Sequence, residues 1–288
     1  MTEQPLIAAE DVWFAYPNAG WVLRDVSLHI AGGEYVAIVG RNGAGKTTLA
    51  KLCNGLLLPT RGRVRVLGQD TASLRPRQLA GAVGYVFQNP DHQIFAATTR
   101  EEIAFGPHNL GLSEADVRAR TDDALARFGL QEVADTPPAM LGFALRRKVA
   151  LAAVYAMRPR ALILDEPTGG LDRDSVGEVM RAVAGLHAEG HSIILITHDM
   201  ALVAGQAQRV VLLQEGQIVL DATPRETFAQ GERLRAAGLV PPQITRLAQR
   251  LAPHGLPADL LTVEEFASAY ELIRTRAEAA PGRRQGAI

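Results

Sequence analysis

Residues 40–47 read Gly-Arg-Asn-Gly-Ala-Gly-Lys-Thr and directly follow an apolar run at 35–39. One glycine, four residues, a second glycine, a lysine and a threonine is the spacing of a phosphate-binding loop that joins a buried strand to a helix. Each residue type has a physical reason to be there. Glycines let the chain curl tightly enough for successive N–H groups to converge on phosphate oxygens. The loop from Gly40 through Asn42, Gly43, Ala44 and Gly45 to Lys46, Thr47 and Thr48 is therefore the expected seat of a nucleoside triphosphate. Lys46 brings a compact positive charge to the terminal phosphates, and the Thr47 hydroxyl is a hard-oxygen ligand for Mg2+. A helix expected at 46–55 turns its positive dipole end toward the same point. Such a loop needs a strand, a turn and a helix in that order, which directs the chain to the α/β class.

Composition permits that fold and removes other functions. With 288 residues, 47% of them hydrophobic, there is enough apolar material for a main body and a smaller appendage. A balance of 30 basic and 31 acidic residues leaves a net charge of −1, without the basic excess of a nucleic-acid or anionic-lipid binder. The single cysteine, Cys53, excludes an internal disulfide and a cysteine-rich zinc site, and its position in the helix after the loop reads as core. Residues 1–9, interrupted by Glu3 and Pro5, do not read as a secretory leader, and the apolar stretch at 149–157 is too short to span a bilayer. The expectation is a soluble, cytoplasmic protein able to dock on a membrane protein.

Periodicity supplies the rest of the framework. Strands are expected at 6–16 and 21–30, antiparallel around a turn at 17–20, then at 62–67 and 83–87. A mostly helical stretch follows, with helices at 98–105, 113–128 and 145–157. Ser113 is the expected N-cap of the second, with Glu114 and Asp116 in its first turn. Strands return at 161–164, 192–196, 209–213 and 217–221, joined by crossover helices at 174–189 and 200–207. From about residue 224 the pattern is helical again, at 226–237, 243–251 and 263–276, and 281–288 reads as a frayed tail.

Three strand ends carry further chemistry. Leu162-Ile163-Leu164-Asp165-Glu166 is an apolar strand closing in two carboxylates, at the edge where ligands bind in parallel sheets. Asp165 is expected to hold Mg2+ and Glu166 to polarise an attacking water. His198 ends another buried strand and can donate to a γ-phosphate. Gln88, at a third strand end, can reach Mg2+ or the attacking water.

In this order these residues resemble an ABC-type ATPase: phosphate loop, Gln88, the Asp165–Glu166 strand, the loop Gly169-Gly170-Leu171-Asp172, and the switch His198. The resemblance spans roughly residues 5–225. It implies ATP as the nucleotide with Mg2+, Tyr16 stacked on adenine, and Asp172 among the nucleotide-site residues. It also implies an ABC-type P-loop core with an antiparallel β subdomain, a helical insertion at about 89–157 and a small helical C-terminal domain at 226–280 used for dimerisation. A narrower resemblance lies in Gln88-Asn89-Pro90-Asp91-His92-Gln93-Ile94-Phe95 and Arg100-Glu101-Glu102-Ile103-Ala104-Phe105-Gly106-Pro107. These segments look like the ATPase subunits of energy-coupling factor importers of vitamins and metal ions. There two ATPases drive a transmembrane T component that carries a substrate-binding S component, so this chain is expected peripherally on the cytoplasmic membrane face. His92 admits three readings: a metal ligand, part of the surface facing the T component, or simply a solvated group.

One stretch departs from the family. Its signature, typically Leu-Ser-Gly-Gly-Gln, is matched here by Leu141-Gly142-Phe143-Ala144-Leu145. The serine hydroxyl is lost and bulk appears where glycines let backbone approach phosphate. One lost preorganised donor costs about 2.7–4 kcal/mol of transition-state stabilisation at a site that depends on it. Because each signature in this family serves the partner's nucleotide, the expectation is a heterodimer with unequal sites, completed by a different chain with an intact signature. Two working sites, served by the helix dipole and backbone N–H groups alone, remain the alternative. So do another class of ABC transporter, a non-transport ABC protein acting on DNA or ribosomes, and a regulatory module without turnover. The transport readings suit the balanced charge and the single phosphate loop better.

Overall fold

The computed structural model describes residues 4–279, so the expected tail at 281–288 lies outside the described residues. Strands β1 (Ile7–Ala15) and β2 (Trp21–Ile30) pair antiparallel, and the alternation of buried and exposed residues along β2 marks a sheet with one wet face. With β3 (Tyr35–Val39) the character changes: all five residues are buried. After helix α1 (Lys46–Cys53) the chain returns through β4 (Arg61–Val66) and β5 (Gln69–Asp70), which complete a four-stranded antiparallel sheet in the order β2-β1-β4-β5.

The second sheet holds the functional edge. Beyond a short helix, α2 (Pro76–Ala82), come β6 (Val83–Val86), β7 (Ala161–Asp165), β8 (Ser192–Ile196), β9 (Arg209–Gln214) and β10 (Gln217–Ala222). They join β3 in the order β10-β9-β3-β8-β7-β6, parallel throughout except for the antiparallel edge strand β10. The register pairs Ile38 with Ile196, Asp165 with Ile196, and Val86 with Leu164. The carboxyl ends of β3, β8, β7 and β6 therefore finish side by side. Every residue of β7 and β8 is buried, which is why both read as continuous apolar runs.

Helices α3 (Thr99–Asn109), α4 (Glu114–Arg127) and α5 (Phe143–Ala156) form the insertion between β6 and β7. Their apolar faces share a core with β7, β8 and α6 (Arg173–Ala188) through Ile103, Leu125, Leu151, Leu162 and Val183. Ser113 caps α4 by accepting from the Asp116 N–H, as its sequence position predicts. Helix α3 continues four residues past its expected end at 105, because Pro107 falls in the last turn, where the missing N–H costs a single bond. Helix α2 has no counterpart in the sequence expectation.

After α7 (Met200–Gln206) and the β9–β10 hairpin, the C-terminal region holds α8 (Pro224–Ala229), α9 (Gly231–Ala236), α10 (Gln243–Leu251) and α11 (Val263–Ala279). The single helix expected at 226–237 is broken at Gln230, whose non-helical backbone closes α8 and opens α9. Phe228, Leu234, Ala237 and Leu239 share a core with Val39, Val203 and Leu212. A second, small core of Ala248, Leu256 and Leu260 belongs to α10 and α11. The boundary expected after residue 225 is crossed by one core, to which Leu261 also belongs, and Gln249 of α10 donates to the Phe228 carbonyl.

Candidate active site

The phosphate loop occupies the turn from β3 into α1. Gly40 has φ of 151°, and a Cβ there would stand 2.2 Å from the Leu213 carbonyl oxygen. Gly45 has φ of 101° and abuts the Leu23 side chain. These two positions require glycine for both conformation and space. Lys46 Nζ donates to the carbonyls of Gly40 at 2.8 Å and Arg41 at 3.1 Å, so the lysine folds back over its own loop. Burial lowers its pKa, opposed by the nearby charges of Glu166 and Asp165.

Strand register brings the two carboxylates to this loop. The Thr47 hydroxyl donates to Asp165 Oδ2 at 2.9 Å, and the Tyr85 hydroxyl donates to the same oxygen at 2.8 Å. Burial, then the Asp165 charge, pushes the Tyr85 hydroxyl pKa well above its ordinary value, so it stays a donor. Glu166 adopts φ of 47°, sparsely populated by residues with a side chain. Its N–H donates to the Ile196 carbonyl at 2.9 Å, a last cross-strand bond from the end of β7 to β8. Its Oε1 lies 2.9 Å from His198 Nδ1, while the Thr197 hydroxyl donates weakly to Oε2 at 3.4 Å.

An open cleft of about 360 Å³ is lined by Asn42, Gly43, Gly45, Lys46, Thr47, Thr48, Gln88, Asp165 and Glu166, with Val22 and Ile196. Gly40 and Ala44 shape the loop from behind. Tyr16 stands at the rim, half-exposed, its hydroxyl 3.3 Å from Thr48 Oγ1 and its ring edge-on to Phe14. The His198 side chain is 72% exposed and projects beyond the cleft wall, whereas Glu166 is 12% exposed. Asp172 is not in the cleft. It caps α6, accepting from the Ser175 N–H at 2.9 Å, a bond that holds its carboxyl below the usual carboxylate range. His92 is exposed in a short turn, and no group of three or more metal-ligating side chains exists among the described residues.

The altered signature opens α5. Gly142 takes the N-cap position and makes no side-chain capping bond. The ring of Phe143 lies against Gly170, where a Cβ would meet it at 3.2 Å. Two residues of the site were not anticipated from sequence. Tyr85 reads as an ordinary strand aromatic, and only the pairing of β6 with β7 brings it to Asp165. Arg147 reads as one of three consecutive cations, yet it is fully buried beside this site.

Comparison with known proteins agrees with this geometry. Residues 23–169 match the family model described as ABC transporter. The chain is 42% identical to the energy-coupling factor transporter ATP-binding protein EcfA1 of Caldanaerobacter subterraneus, over 91% of this chain and 97% of that protein. It is 43% identical to the EcfA1 protein of Symbiobacterium thermophilum, over 92% and 96% of the two chains. Among solved structures it is similar to cbiO1 from Clostridium perfringens, described as part of an ABC transporter complex. The TM-score is 0.73 and identity 35%, covering 87% of this chain and all of the other. The chain belongs to the ABC transporter ATP-binding family, enzymes that couple ATP hydrolysis to transport, and within it to the group of energy-coupling factor ATP-binding proteins.

Proposed function

We propose that this chain is the ATP-hydrolysing subunit that powers uptake of a micronutrient, a vitamin or a transition-metal ion, through an energy-coupling factor importer. It sits peripherally on the cytoplasmic face of the membrane. Its partners are a second, different ATPase subunit with an intact signature, a transmembrane T component and a substrate-binding S component. What carries the reading is the hydrogen-bonded row Thr47–Asp165 and Glu166–His198 along one sheet edge, at the mouth of the phosphate loop. The relatives' names point the same way, and no helix among the described residues is long and apolar enough to cross a membrane.

In this reading the loop N–H groups of residues 42–47 and Lys46 hold the ATP phosphates, and Lys46 exchanges its two carbonyl partners for them. Tyr16 stacks on the adenine. The donor set suits Mg2+, since Thr47, Asp165 and Gln88 present hard oxygens to one cleft. Magnesium bound there would neutralise charge on the phosphates. Glu166 orients the attacking water, and His198 is released from Glu166 to meet the terminal phosphate. Gln88 passes the state of the cleft to the helical insertion. Asp172, exposed at the head of α6, belongs to the face that meets the second subunit's nucleotide.

The site opposite Leu141–Leu145 binds ATP but turns over slowly, because Gly142 has no hydroxyl to offer. Its free N-cap N–H groups keep the two-working-sites reading in contention, and one measurement separates the two. ATP hydrolysis by the purified chain is compared with that of the chain co-purified with its second ATPase and membrane partners. Turnover that appears only in the complex, and stops with Glu166→Gln, supports unequal sites. Equal turnover by the chain alone would sink that idea, and unchanged turnover in Glu166→Gln would remove the role given to Glu166.

A further inference from the structure

Arg147 heads the fully buried side chains of the described residues by volume. It forms no ion pair. Its Nη1 donates to the Phe87 carbonyl at 2.9 Å and its Nη2 to the Gly169 carbonyl at 3.3 Å, while Nε has no partner. The guanidinium carbon lies 5.2 Å from the centroid of the Phe143 ring. A buried cation without an anion is costly, and burial accordingly lowers the Arg147 pKa against the favourable fields of Asp165 and Glu166. Such a group persists where its geometry does something an apolar side chain cannot.

The two carbonyls it holds are informative. Phe87 immediately precedes Gln88. Gly169 closes the turn that begins at Glu166, its N–H donating to the Glu166 carbonyl at 3.2 Å. One side chain thus ties the segment carrying Gln88 to the segment carrying Glu166, which are otherwise far apart in sequence. Helix α5 is fastened to the first segment twice more. Gln93 accepts from the Phe87 N–H and donates to the Ala150 carbonyl at 2.8 Å, and Arg146 pairs with Asp91 at 2.9 Å. Phe143 closes the unit, with its ring beside the guanidinium groups of Arg147 and Arg146 and against Gly170.

We propose that Arg147, covered by Phe143, is a positioning residue that clamps the Gln88 segment to the turn after Glu166, so that the altered stretch 141–145 serves this chain's own hydrolytic site. Phe143 is then a cover for a buried guanidinium as well as a lost glycine. The inference rests on the reading that ATP is hydrolysed at this chain's phosphate loop. A planar guanidinium suits the task because its forked N–H groups reach two carbonyls at once, which neither lysine nor glutamine does with the same geometry.

The test uses Arg147→Met, which keeps the volume without donors, and Arg147→Lys, which keeps the charge and fewer donors. In the complex, Arg147→Met should lower kcat roughly 10- to 100-fold through misplacement of the reacting groups. KM for ATP should stay within about threefold, since the phosphate loop is untouched. Arg147→Lys should recover part of the loss. Amide hydrogen exchange on the nucleotide-free full chain should speed up together at 87–89 and at 168–171, with protection of β7 and the rest of α5 retained. Phe143→Leu should give a weaker version of the same pattern. Exchange that rises at neither segment or at only one overturns the clamp. So does exchange that rises throughout α5 and β7 with a large fall in Tm, which would mark Arg147 as ordinary core. If Glu166→Gln leaves turnover intact, the functional reading fails, while the exchange measurement still decides the clamp.

Discussion

Glu166 Oε1 and His198 Nδ1 lie 2.9 Å apart at the mouth of the cleft, although each was expected to face a different object, one a water and the other a phosphate. The pair forms because β7 and β8 are neighbours in register, so the residues that follow Asp165 and Ile196 leave the sheet together. Glu166, with its left-handed backbone, is held firmly, whereas His198 is largely exposed and free to turn. In the conformation seen here the histidine contacts Glu166, the proposed base. Released, it can reach a phosphate.

His198→Ala should therefore lower turnover about 100-fold, the lower end of what a positioned acid–base group supplies. Affinity for ADP, which lacks the terminal phosphate His198 is proposed to meet, should change little, because the imidazole does not touch the phosphate loop. Phosphate release and fluorescent-nucleotide binding check the two parts. A variant with normal turnover would show that the Glu166–His198 contact is incidental.

Tyr85→Phe removes one of two donors to Asp165 Oδ2 and leaves Thr47 as the other. A hydrogen bond to a charged group contributes about 1.5–3 kcal/mol, so the Tm should fall measurably. Groups that orient a metal ligand typically change metal affinity by about 10- to 100-fold. The Mg2+ concentration for half-maximal turnover should rise on that scale, and an unchanged Mg2+ dependence would remove Tyr85 from the site.

Gly40→Ala and Gly43→Ala should differ. At Gly40 a Cβ would collide with a backbone carbonyl at 2.2 Å, whereas at Gly43 no atom lies within 4 Å. Both pay for positive φ, at about 1–3 kcal/mol. Only Gly40→Ala must also displace the loop from β9, so it should lose nucleotide binding as well as stability. Urea unfolding and nucleotide titration on both variants test the contrast.

The pH response of Cys53 has a definite sign. Complete burial in α1 pushes its thiol up to about 12 from an ordinary 9.0. Between those values the unfolded chain gives up a proton that the folded chain keeps. The contribution to stability is full below 9.0 and is lost as pH rises toward about 12. Unfolding midpoints above pH 9 should fall more steeply for the parent than for Cys53→Ala. The native thiol should also resist maleimide at pH 8 until the protein is unfolded.

The long apolar runs at 35–39, 161–164 and 192–196 were legible as buried strands because burial on both faces removes alternation. The phosphate loop was legible because its glycines and lysine are local in sequence and their spacing alone serves the chemistry. Helix ends were less so. At Gln230 a non-helical backbone separates α8 from α9, and α3 runs past residue 105 because Pro107 is tolerated in its last turn; apolar periodicity marks neither. Arg147 was not legible for a related reason: it sits among three consecutive cations, and only the tertiary structure sets it against the carbonyls of Phe87 and Gly169.

By itself the sequence determined the order of the main strands and helices, the phosphate loop and the residue types at each strand end, since these follow from periodicity and fixed short spacings. The tertiary structure alone decided which of those ends meet. Parallel strands are joined by long crossovers, so their order and register are set by packing over the whole chain. Those choices bring His198 to Glu166, Tyr85 to Asp165, and Arg147 between two loops separated by the entire helical insertion.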